Sequence, residues 1–355
     1  MIGKPIYING IGSISIQQPL SNEGLENPVS YQETHIRCLE PNFRDFFDPI
    51  AARRLSKIIK RAIVTAKHAI AESGIETPDA IITGTGLGCV EDTEKFLDSM
   101  ITNEEKFLQP TFFIQSTHNT ISSQIAINMN CKGYNNTYIH RGVSFENALM
   151  DAYLLFQRGS IQSAIVTGND EMTPNYFTLL GRIGYWKPSI KNTLTSIQNE
   201  NSKGSFAAEG STSLVLATEK SKSTYAVLQG VDLFYKPTES INQKIESFVQ
   251  SCGLSVKDID VFMTGMSGDT ENDLVYTNAA KGLFAPEQIG IYKNLCGEYY
   301  TNVAYGLLTT AVCIQKGEVP AHCMLQGNEK KQVKHILLYN HFRNKDHSLM
   351  LLSVC

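Results

Sequence analysis

The stretch His140-Arg141-Gly142-Val143-Ser144 separates a strand-like run from a helix-like run and has the form of a strand-to-helix elbow. An elbow lifts one side chain over a helix N-terminus, where free backbone N–H groups can stabilise an oxyanion. The apex here is Gly142, which has no side chain and so cannot attack, although it suits a strained turn. Ser144, in the first helical turn, reads as a cap or packing residue. A second turn, Gly84-Thr85-Gly86-Leu87-Gly88, follows an apolar run, but the dinucleotide fingerprint G-x-G-x-x-G needs glycine where Cys89 stands. It reads instead as a tight turn requiring positive φ. The eight cysteines are scattered without a C-x-x-C pair, which points to reduced core thiols and to neither a zinc site nor a disulfide framework. No motif calls for a cofactor or metal.

The elements that must position these residues alternate between strand and helix, and the alternation runs through the chain twice. In the first half the spacing predicts strand 6–14, a helix over 49–73, strand 80–83, helix 120–130, strand 136–140, helix 144–158, and strands 163–167 and 211–218. The second half repeats the order: strand 225–234, helix 238–252, strand 260–264, helix 271–282, strand 289–293, helix 299–316, and strands 335–339 and 348–354. The expected fold is therefore α/β, with two similar β-α-β-α-β-α-β-β halves divided at about residue 221. The polar stretch 189–204 reads as an excursion loop.

Of the 355 residues, 42% are apolar and 19% charged, enough to bury a large core and incompatible with a disordered tail. A net charge of −4 gives no basic surplus for binding nucleic acid. The apolar runs, such as 336–338 and 349–354, are strand-sized and predict no membrane span. Met1 to Asn9 lacks a secretory signal pattern, so a cytoplasmic location is expected.

The segments Asn9-Gly10-Ile11-Gly12, Gly84 to Gly88, Ser122 to Gly133 and Gly204-Ser205-Phe206-Ala207-Ala208-Glu209-Gly210 together resemble the β-ketoacyl-(acyl carrier protein) synthases of the thiolase superfamily. The resemblance covers nearly the whole chain and implies a thiolase-like body layered α-β-α-β-α. The family's chemistry needs a cysteine in T-A-C-x-S, a histidine in N-A-H-G-T and a histidine in K-x-x-x-G-H. Here those positions hold Gly142, Gly265 and Glu298, while Lys293 and Asp273 are retained. Loss of the nucleophile alone costs on the order of a million-fold. The family's G-F-G-G-T-N loop becomes His341-Phe342-Arg343-Asn344-Lys345-Asp346; Phe342 keeps the gating aromatic, and without flanking glycines the loop is expected to be fixed.

Within that family the resemblance is closest to the chain length factor type, a subunit without catalysis that pairs with an active ketosynthase and shapes its acyl tunnel in fatty acid or polyketide biosynthesis, the aryl polyene branch included. The rivals are an active acyltransferase with relocated chemistry, using Cys296 beside Glu298 or His140 with Ser144, and a stand-alone acyl-binding homodimer. A dimer is expected through residues 136–140 and 117–123, where the family joins two sheets. Arg53, Arg54, Lys57, Lys60 and Arg61 read first as a solvated helix face and second as a docking face for an acidic carrier protein. His140, Arg141, Cys296 and Phe342 are expected to line the vacated pocket. There Glu298 should accept a charge-assisted hydrogen bond from Arg141, His140 or Lys293.

Overall fold

The computed structural model describes residues 5–53, 55–199 and 202–355. Ten strands of three residues or more build one mixed sheet: β1 (Ile6–Ile14), β2 (Ala80–Gly84), β3 (Tyr134–Tyr138), β4 (Ser163–Asp170), β5 (Gly210–Ala217), β6 (Ala226–Tyr235), β7 (Val261–Thr264), β8 (Ile289–Ile291), β9 (His335–Phe342) and β10 (Asp346–Ser353). Their order is β3-β2-β4-β5-β1-β6-β10-β9-β7-β8. Counted from its own first strand, each half runs 3-2-4-5-1. The two first strands meet antiparallel, with Ile6 opposite Leu228 and Ile8 opposite Ala226. The repeat in the sequence is therefore a repeat of topology, and pairing of β1 with β6 fuses the halves into one sheet.

The helices are α1 (Lys57–Ser73), α2 (Val90–Thr102), α3 (Pro110–Ser116), α4 (Thr120–Asn128), α5 (Ser144–Gln157), α6 (Pro174–Arg182), α7 (Ile241–Ser251), α8 (Thr270–Ala280), the single turn α9 (Lys293–Cys296) and α10 (Val303–Lys316), beside shorter turns. Helices α5 and α10 contact each other and strands of both halves, and their apolar faces belong to the largest core cluster. Helices α1 and α4 cover the outer face of the first half. Helices α7 and α8 cover the outer face of the second. This gives five layers, α-β-α-β-α, as expected. Helix α10, at the centre, is buried from Val303 to Ile314, which fits a helix that is apolar all round.

Some expectations are corrected. The helix expected over 49–73 is interrupted, because Ser56 takes extended backbone (ψ 165°) and caps a fresh start at Lys57. Helices α2, α3 and α6 had no counterpart in the periodicity reading. The excursion loop contains helical turns at Thr193–Thr195 and Ser196–Asn199. In the glycine turn only Gly88 has positive φ (+69°); Gly84 and Gly86 are required instead by the close approach of Phe145 and Tyr300. The basic face is not intact either. Arg61 is 3% exposed and its guanidinium joins Glu40 and Glu209, while Arg54 lies outside the described residues.

The parallel strands β2, β3 and β4 and the parallel strands β7, β8 and β9 direct their carboxyl ends toward one region. That is where α/β sheets place ligands. Helix α1 lies so tightly on β1 that a Cβ at Gly12 would come 2.4 Å from the Thr65 carbonyl oxygen. Gly12→Ala is therefore expected to destabilise the fold by about 2–3 kcal/mol in urea unfolding; a loss below about 0.5 kcal/mol would show that the helix can give way.

Candidate functional site

Gly142, Gly265 and Glu298 converge on one region; the space beside the two glycines is filled by neighbours, and Glu298 is paired. Gly142 lies just past β3, and a Cβ built there would sit 2.3 Å from Cδ2 of Phe342 and 2.5 Å from its Cγ. The Phe342 ring occupies the volume into which a side chain at residue 142 would project. Gly265, one residue past β7, is blocked likewise: its Cβ would meet Asn340 Oδ1 at 2.3 Å and the Tyr276 hydroxyl at 2.5 Å. Those two groups are joined, the Tyr276 O–H donating to Asn340 Oδ1 at 3.0 Å. At the third position Glu298 Oε2 receives Lys293 Nζ at 2.9 Å, and Oε1 receives Asn302 Nδ2 at 3.0 Å. Lys293 is almost fully buried, with 7% of its side chain exposed, so a paired carboxylate offsets a costly desolvation.

The donor to Glu298 is thus Lys293, and neither Arg141 nor His140 takes part. Both are exposed and neither lines the cavity. The strained residue of the elbow is Arg141 (φ +51°), not Gly142, and this turns residues 140 and 141 outward. The Ser144 hydroxyl accepts from the His140 backbone N–H (2.7 Å) and donates to the Arg141 carbonyl (2.8 Å). It therefore braces the elbow. Cys296 does not line the cavity; it is fully buried, its Sγ faces the Gly297 carbonyl, and burial pushes its thiol well above the usual range.

Phe342 sits at the end of β9 and begins a tight turn in which Lys345 N–H donates to the Phe342 carbonyl at 3.1 Å. Arg343 and Asn344 hold φ +54° and +51°, a left-handed pair that glycine would adopt freely. The Arg343 guanidinium stands 5.4 Å from the Phe342 ring centre and 5.2 Å from that of Tyr185. Tyr300 meets Phe342 edge-on at 5.9 Å, and its hydroxyl is 2.5 Å from that of Tyr176.

Two adjoining cavities remain, sharing Tyr185, Lys293, Glu298, His341 and Phe342. The inner one, about 40 Å³, is walled by Leu87, Met172, Tyr176, Leu180, Trp186 and Tyr300 among others. That is room for a few waters. The outer one, about 270 Å³, is polar and includes Lys203, Ser267, Asp269, Glu271 and Arg343.

Several groups around the cavities had not been anticipated from the sequence. Asp170, at the end of β4, accepts N–H bonds from Gly86 (2.8 Å) and Thr301 (2.7 Å) and a hydroxyl bond from Thr301 (2.7 Å). Burial nevertheless pushes its carboxyl up to about 6. Its place in Asn169-Asp170-Glu171, at the carboxyl end of a core strand, was the available signal. His341 donates from Nε2 to the Asn272 carbonyl (3.1 Å) and accepts the Asn344 N–H at Nδ1 (3.2 Å). Burial, with help from Lys293, drives it down to about 3, so it stays neutral. Among the described residues no group of three or more His, Cys, Asp or Glu could hold a metal ion, and no helix is long and apolar enough to cross a membrane.

Glu146, in the first turn of α5, is fully buried. Its Oε1 accepts Asn340 Nδ2 at 3.0 Å, while Oε2 has no partner. Burial pushes this carboxyl up to about 7 from 4.5. Because the folded-state value is the higher one, its stabilising share is complete below about pH 4.5 and is lost as pH rises through about 7. Glu146→Gln is expected to change stability little at about pH 5 and to exceed the parent by on the order of 3 kcal/mol at about pH 8. Urea unfolding at the two pH values checks this, and equal stability at the higher pH contradicts it.

Comparison with known proteins now places this geometry. A 3-oxoacyl-[acyl-carrier-protein] synthase 2 of Staphylococcus aureus (strain N315) is 23% identical over 146 residues, 39% of this chain and 35% of that protein. The match thus spans about a third of the curated relative's length. Among solved structures, the ishigamide ketosynthase/chain length factor superposes with a TM-score of 0.84 at 16% identity, covering 99% of this chain and 100% of that one. A ketosynthase in complex with its chain length factor from Xenorhabdus doucetiae gives 0.79 at 14% identity, covering 99% and 98%. A beta-ketoacyl synthase from Burkholderia phymatum STM815 gives 0.83 at 12% identity, covering 99% and 100%. These likenesses show the thiolase-type ketosynthase fold. Residues 10–222 match the family described as beta-ketoacyl synthase, N-terminal domain, and the chain belongs to the beta-ketoacyl synthase family.

Proposed function

We propose that this chain is a non-catalytic ketosynthase-fold subunit, a chain length factor-like partner of an active condensing synthase in fatty acid or polyketide biosynthesis. One observation carries the reading: the space of each missing catalytic side chain is already taken, by Phe342 at Gly142, by Tyr276 with Asn340 at Gly265, and by the Lys293 ion pair at Glu298. A thioester needs a nucleophile with room for an acyl group beside it. Here residue 142 offers no nucleophile, and the inner cavity of about 40 Å³ is too small for an acyl chain. No observation favours relocated chemistry, since Cys296 is sealed in the core and the Ser144 hydroxyl bonds backbone on both sides.

The partner surface in this reading is the free edge of β3, the outermost strand of the sheet on its side. An open edge invites pairing with another chain. A concavity of about 560 Å³ lined by Thr117, His118, Asn119, Asn135, Asn136 and Thr137 lies along that edge. Phe113, Ile114 and Ile139 are exposed nearby, 56%, 60% and 41% respectively, as a surface awaiting cover would be. The solved complex of a ketosynthase with its chain length factor supports a two-chain assembly of this kind. Of the basic residues first read as one face, the exposed Arg53 and Lys57 remain free to meet an acidic carrier protein.

The test is incubation of the purified chain with an acyl-loaded carrier protein, followed by intact-mass measurement. No covalent acyl adduct is expected at any residue. A stable adduct would overturn the non-catalytic reading, and its site would identify the nucleophile.

A further inference from the structure

Because Phe342 is central to the proposed function, what keeps its ring in place determines whether the former catalytic space is permanently shut. We propose that Arg343 is a clamp: its guanidinium, stacked on both Phe342 and Tyr185, fixes the Phe342 ring as an autoinhibitory plug over Gly142. This rests on the reading of the site as vacated.

Three observations support the clamp. The ring has somewhere else to go, since the outer cavity of about 270 Å³ is lined by Phe342 and Arg343 themselves. The turn that carries the ring is exposed at residues 343–345 and holds two non-glycine residues at positive φ, a conformation that persists only when surroundings over-determine it. The contacts that over-determine it include the Asn344 N–H to His341 Nδ1 at 3.2 Å, the Lys345 N–H to the Phe342 carbonyl at 3.1 Å and the Lys236 N–H to the Lys345 carbonyl at 2.7 Å, and the guanidinium at 5.4 and 5.2 Å from two rings. The three hydrogen bonds fix the backbone of the turn. The Phe342 ring itself is met by Tyr300, edge-on at 5.9 Å, and by the guanidinium, which also ties it to Tyr185. A cation lying over two aromatic faces is held by both ring quadrupoles, and its planar fork suits such stacking as a lysine would not.

The test uses a reporter thiol at Met172, a buried residue that lines the inner cavity with Phe342, since a side chain at residue 142 would itself displace the ring. Met172→Cys is made alone and together with Arg343→Gly, with Asn344→Gly or with Phe342→Ala, and alkylation of residue 172 by iodoacetamide is timed by peptide mass spectrometry. Glycine is chosen at 343 because it keeps the left-handed turn while removing the guanidinium. The Asn344→Gly partner relaxes the backbone and leaves the clamp in place. The single variant is expected to label slowly, and adding Phe342→Ala to expose the thiol. Adding Arg343→Gly should accelerate labelling by about tenfold, and adding Asn344→Gly should leave it near the slow rate. The clamp is overturned if the single variant labels as fast as the one lacking Phe342, if removing Arg343 changes nothing, or if relaxing Asn344 accelerates labelling as much as removing Arg343. It is also overturned if the thiol stays silent without Phe342, since something else would then close the site. Each of these would leave the non-catalytic reading standing, because that reading fails only if the parent chain is acylated.

Discussion

A side chain at residue 142 and the ring of Phe342 cannot share one volume, and the rest of the site follows from that exclusion. The interior is packed too densely for a 2.3 Å approach to be absorbed by small shifts. With glycine at 142, the end of β9 can lay its aromatic ring across the elbow, and Tyr300 closes on it from the far side. Once the ring is there, the inner cavity shrinks to a few waters' worth of space. The inner cavity has no room for a long acyl chain unless the β9–β10 turn moves.

Burial of charge imposes a second constraint. Lys293 remains almost wholly inside the protein, where an unpaired ammonium would be expensive. Glu298 supplies its counterion, and Asn302 satisfies the other carboxylate oxygen. At Gly265, Tyr276, Asn340 and Glu146 form a hydrogen-bonded chain across the two halves of the molecule. The first arrangement is local, within residues 293–302, whereas the second joins elements distant in sequence and so helps hold the core together.

Much of this was legible in the sequence, and the failures have physical causes. Hydrophobic periodicity located nearly every core strand and both central helices, because those segments are buried on a regular repeat. A helix as short as Pro110–Ser116 spans too few turns to show a helical repeat. The degenerate positions were legible as motif positions, but who fills them was not, since Phe342 and Tyr276 reach Gly142 and Gly265 only through tertiary packing. His140 and Arg141 were misplaced because the side-chain direction at an elbow depends on one dihedral, and Arg141 adopts the left-handed value. Cys296 was misplaced because the helical turn ends at Gly297, whose φ of +71° redirects the chain, leaving Glu298 facing the cavity and Cys296 facing the core. Glu146 left no trace, because a glutamate near a helix N-terminus is ordinary in sequence and unusual only when buried.

The account's central claim is that this chain assists condensation without performing it. The most direct test reconstitutes it with a ketosynthase of the same family that retains its cysteine and two histidines, and measures condensation of malonyl-carrier protein by the pair. The account predicts a one-to-one complex whose condensing activity disappears when the partner's cysteine is replaced by alanine. Condensation that survives loss of the partner's cysteine, or that this chain sustains alone, would contradict it.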